Sequence, residues 1–65
     1  MSRNDHRLVT TPNIAEQDDF YAELLMAHEG MNDEDSQVYN TRLILILANH
    51  IGNIDVLKQA LAVAK

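Results

Sequence analysis

Between Arg42 and Gly52 the chain reads Arg42-Leu43-Ile44-Leu45-Ile46-Leu47-Ala48-Asn49-His50-Ile51-Gly52, an almost unbroken apolar run. A protein this short cannot readily cover such a run by itself. As a helix, the run turns Leu43, Ile44, Leu47, Ala48 and Ile51 to one side and Leu45 and Ile46 to the other, together with Val38 and Tyr39. One side can serve an internal core, and the second asks for a partner. A strand over residues 43–47 is the competing reading, since a short apolar run is not assigned by periodicity alone. Helix is preferred because the chain offers no second strand to pair with and no turn residue before Gly52.

With 65 residues the chain is one domain, and at that size folding buries only about 60% of the unfolded surface. Apolar residues at 46% and charged residues at 23% describe a globular rather than a disordered chain. No cysteine is present, which removes disulfides, thiolate ligands and thiol nucleophiles together. A small domain without such staples depends on well-packed helices or on association. Residues 1–12 are polar, carry Arg3, Asp5 and Arg7, and do not resemble a signal peptide. The longest apolar run falls well short of the roughly 20 residues of a membrane span. A cytoplasmic location, with no membrane contact, is the expectation.

The net charge of −5 is unevenly spread. Residues 1–12 sum to +1 and residues 38–65 to +2, while Glu16, Asp18, Asp19, Glu23, Glu29, Asp33, Glu34 and Asp35 place −8 in the middle. Nucleic-acid binding is not expected, because phosphate neutralisation needs a Lys and Arg cluster that the sequence lacks. Acidic residues collected where helices begin complement the positive end of the helix dipole.

The punctuation predicts an all-α fold, a small three-helix domain over residues 15–65 behind an irregular, polar and mobile arm over residues 1–14. Thr10-Thr11-Pro12-Asn13 opposes helix in the arm. Phe20, Leu24 and Ala27, with Tyr21, Leu25 and His28, repeat at helical spacing over residues 15–29, and Gly30 stops that helix. Asn32 caps a second helix over residues 33–51 ended by Gly52, and Asn53 caps a third over residues 54–64. The internal core is expected to hold Leu24, Leu43, Leu47, Ile51, Leu57 and Leu61, with Ile54, Ala60 and Ala64 on the same face of the third helix.

No residue constellation carries catalysis. Ser36 has only acidic neighbours and no base to activate it, there is no Gly-rich phosphate loop, and the carboxylates fall on solvent faces. His28-Glu29-Gly30 and His50-Ile51-Gly52 form a short repeat, in which each histidine stands at a helix end facing unpaired carbonyls. Reading them as a metal site would require His6 or scattered carboxylates as further ligands, and no HxxxH or HxxE pair sets two on one face. No catalytic residue, metal or cofactor is therefore expected. The candidate binding residues are Val38, Tyr39, Arg42, Leu45, Ile46 and Asn49, because apolar anchors around a central Arg with a Tyr beside it have the composition of an interaction hot spot.

Asp18-Asp19-Phe20-Tyr21, His28-Glu29-Gly30, Asn40-Thr41-Arg42-Leu43 and above all Leu47-Ala48-Asn49-His50-Ile51-Gly52 give the chain a resemblance, over residues 12–61, to a family of short bacterial proteins. That family is known only as domain of unknown function twenty-seven eighty-three. The resemblance implies genes near flavin-dependent aromatic hydroxylases and other aromatic-degradation enzymes, and it brings no catalytic residues. Asn32 and Asn53 stand where Ser or Thr, and Asp, are the family's caps; both substitutes can cap a helix. The expected function is a non-catalytic accessory subunit that binds a larger enzyme, such as a flavin-dependent aromatic hydroxylase (a flavin monooxygenase), and stabilises it or shapes its site. The alternative is a self-assembling homo-oligomer with no enzyme partner.

Overall fold

The computed structural model describes residues 6–65. The remainder of the expected arm, residues 1–5, lies outside the described residues. Three helices follow in order, α1 (Gln17–Ala27), α2 (Asp33–Ile51) and α3 (Ile54–Val63), and there is no strand among the described residues. The apolar run is helical throughout.

Local chemistry accounts for the boundaries. Asn32 accepts a hydrogen bond from the Asp35 amide at 2.8 Å, and Asn53 accepts one from Val56 at 3.0 Å, so each satisfies a donor that the first helical turn leaves unpaired. Asp33, Glu34 and Asp35 fill the first turn of α2, where the helix dipole favours negative charge. Gly52 ends α2 with φ 72°, a left-handed backbone that costs glycine little. At α1 the start is looser, because Glu16 makes no side-chain cap. That helix also ends earlier than its periodicity suggests: residues 28–30 form a turn in which Glu29 donates to the Met26 carbonyl and Met31 to the His28 carbonyl, closed by Gly30 at φ 82°.

The expected core does not form within the chain. No described residue is buried. Leu24, Leu43, Leu57 and Ala60 are half-buried, whereas Leu47, Ile51, Ile54, Leu61 and Ala64 are exposed, Leu61 by 70%. The reason lies in the helix arrangement: α2 and α3 are the one pair of helices that pack on each other, and α1 lies against neither along its length. The molecule measures 41 × 24 × 21 Å with a radius of gyration of 13.9 Å, against about 11 Å for a compact chain of this length. Its accessible surface of 5911 Å² likewise exceeds the about 4,200 Å² expected of a compact monomer of this mass.

The segment before α1 is irregular from His6 onward and is attached to α3. Gln59 holds two main-chain groups of it. Its Oε1 accepts from the Leu8 amide at 3.1 Å, and its Nε2 donates to the His6 carbonyl. Asp55, one turn earlier on α3, stands 3.6 Å from Nδ1 of His6.

Candidate protein-interaction surface

The surface is built on α2, and its unusual part is residues 44–47. A helix advances about 100° per residue, so four consecutive residues sample the whole circumference. Ile44, Leu45, Ile46 and Leu47 are exposed by 63%, 64%, 65% and 46%. α2 is thus aliphatic and open on every side at this level. A helix hydrophobic all round is ordinarily one buried on all sides, and neither α1 nor α3 supplies that cover.

Helical spacing aligns Val38, Arg42, Leu45 and Asn49 in one stripe, and all four are exposed. Ile46 is exposed beside them. Two open depressions share Val38 and Arg42: one of about 420 Å³ lined also by Glu34, Gln37 and Thr41, and one of about 350 Å³ lined also by Met31, Asp35 and Tyr39. Both are shallow, and neither is closed enough to exclude water from a reaction. They make a relief of knobs and hollows around a cation, a form suited to docking another surface.

Tyr39 is placed differently from its companions. It is half-buried, its ring meeting that of His28 edge to face at 5.0 Å between centroids. His28 itself caps the end of α1, with Nδ1 2.8 Å from the Leu24 carbonyl and Nε2 2.8 Å from Oδ1 of Asn40. These contacts raise its pKa above the ordinary 6.5, chiefly through the bond to Leu24 and next through Asn40, with a small opposing effect of desolvation. The histidine therefore contacts a helix-end carbonyl, as its position suggests, and also ties α1 to α2. Nothing in the spacing of His28 and Asn40 announces that link, because it depends on the path of the intervening turn. His50 stands in the last turn of α2. Among the described residues no three His, Asp or Glu side chains gather as a metal site.

Sequence periodicity also hides the state of the opposite stripe. Ile44, Leu47 and Ile51 share that stripe and are exposed rather than internal. Both sides of α2 are therefore open, where periodicity predicts one. No helix is long and apolar enough to cross a membrane among the described residues.

A family described as a protein of unknown function (DUF2783) matches residues 8–65. No curated protein and no solved structure matches the chain.

Proposed function

The chain belongs to the DUF2783 family, and on that premise we propose that it is a non-catalytic accessory subunit, whose α2 docks on a larger enzyme. The observation that carries this reading is the exposed aliphatic girdle of residues 44–47 on a chain with no buried residue among those described. Such a chain gains most of its cohesion from what it binds. Association removes apolar surface from water at about 25 cal/mol per Å² before the costs of association are met. The docking side is the stripe of Val38, Arg42, Leu45 and Asn49 with Ile46 and Tyr39 at its edge. There Arg42 supplies a directional charge that selects a carboxylate on the partner.

The partner class is a flavin-dependent aromatic hydroxylase, the enzyme kind that the family resemblance associates with genes of this type. The accessory role is to stabilise that enzyme or shape access to its site. Affinity capture with the tagged chain in its native host, read by mass spectrometry, tests the proposal. Recovery of a flavin hydroxylase with the wild-type chain and its loss with Arg42→Glu supports it. A wild-type chain that captures no enzyme, or an Arg42→Glu chain that captures the same enzyme equally well, overturns it.

A further inference from the structure

The stripe formed by Ile44, Leu47 and Ile51 differs from the Arg42 stripe in a property that decides what can cover it. From residue 37 to residue 51 its neighbours along the same side of α2, Gln37, Asn40, Thr41 and Ala48, carry no charge, and Asp33 lies beyond them at the helix start. The opposite stripe has Arg42 near its middle. In a two-fold pairing the same patch meets itself, and a pairing centred on Arg42 brings two guanidinium groups toward each other, which opposes association. The uncharged stripe meets itself with no such penalty.

Its residue types fit the same occupant. Ile44, Leu47 and Ile51 are spaced alternately three and four residues apart, with Ile at the outer positions and Leu between. That alternation of β-branched and γ-branched knobs favours the packing of two helices rather than more. The available area agrees. The chain exposes about 1,700 Å² more than a compact monomer of its mass, and a standard interface takes about 800 Å² from each partner. That excess, spread over the whole chain, is larger than the share such an interface takes from one partner.

We propose that a second copy of this chain covers the Ile44, Leu47 and Ile51 stripe, with the two-fold axis beside Leu47, so that the Arg42 stripe faces outward. This assignment goes beyond the accessory-subunit reading and stands without it, because a dimer forms through this side whether or not an enzyme occupies the other.

The absence of cysteine makes a single introduced thiol a clean probe. In parallel or antiparallel pairing Leu47 lies near its own counterpart, since it is at the middle of the stripe. The full chain carrying Leu47→Cys is oxidised with diamide beside one carrying Leu45→Cys, and wild type is examined by sedimentation equilibrium. The expected results are a dimer mass for wild type and covalent dimerisation at least about tenfold faster at position 47 than at 45, since a disulfide needs its two Cα atoms close. Ile44→Glu is expected to give a monomer. A monomeric wild type at tens of micromolar, or equal cross-linking at the two positions, overturns the proposal; the conservative cysteine variants keep it decidable if Ile44→Glu fails to fold. Loss of enzyme capture with an intact dimer counts against the accessory role alone.

Discussion

Nε2 of His28 lies 2.8 Å from Oδ1 of Asn40, joining the end of α1 to the side of α2. The other ring nitrogen faces the Leu24 carbonyl, a group that only accepts. With an acceptor at each nitrogen, the ring satisfies both as an imidazolium, and the negative end of the α1 dipole favours the same charge. Neutral His28 keeps one N–H and leaves the Asn40 amide to reverse before the second bond can form.

The first prediction is a pH dependence of the α1 attachment. The folded pKa of His28 lies above the ordinary 6.5, so its contribution to stability is complete below 6.5 and is lost as pH rises through the raised value. Proton NMR titration of the ring should give a midpoint above that of an unstructured histidine, and Asn40→Leu should lower it. An identical midpoint in the Asn40 variant would show that the amide bond is not formed in solution.

A charge at position 45 tests the docking side. Leu45→Asp should abolish association with the enzyme partner, because it sets an uncompensated carboxylate against an apolar surface. The far-ultraviolet circular dichroism should stay helical, since Leu45 is exposed in the chain itself. Loss of the helical signal would instead assign Leu45 to an internal core.

Truncation at Leu47 should depend on protein concentration. A fully buried Leu replaced by Ala costs about 2–5 kcal/mol. Leu47 is 46% exposed in the single chain, so dilute protein should lose only about 1–1.5 kcal/mol. At concentrations where two copies associate, the cost should rise toward the buried value. Urea denaturation of wild type and Leu47→Ala across a dilution series measures the difference.

The caps give a prediction independent of any partner. Asn53→Ala removes the acceptor for the Val56 amide and should cost about 1 kcal/mol, while Asn53→Asp should cost little because its carboxylate accepts the same bond. Chemical denaturation of both variants at one pH checks the contrast.

Helix positions were legible because each signal is local. Asn32, Asn53, Gly30 and Gly52 act on backbone groups within a few residues of themselves. α1 was less well bounded, since Glu16 offers no cap and a turn intervenes before Gly30. The core was not legible for a related reason. Periodicity says which side chains share a face, and it says nothing about whether another helix arrives to meet that face. Leu47 and Ile51 keep helical register with Leu43, yet only Leu43 is half-buried. Of the predicted interaction residues, Val38, Arg42, Leu45, Ile46 and Asn49 lie on the open surface, while Tyr39 is drawn toward His28 by a turn that local patterning does not describe.

The Gln59 clip grips peptide groups, an amide at Leu8 and a carbonyl at His6, rather than side chains. Every amino acid brings the same carbonyl to position 6, and every one except proline brings an amide to position 8. Those two positions can therefore diversify among descendants of this sequence without loosening the Gln59 clip, provided that position 8 never becomes an imino acid, and a change at position 6 gives up only the contact of its ring with Asp55. The heritable constraint falls on Gln59, the single side chain with both an oxygen and a nitrogen at the reach required.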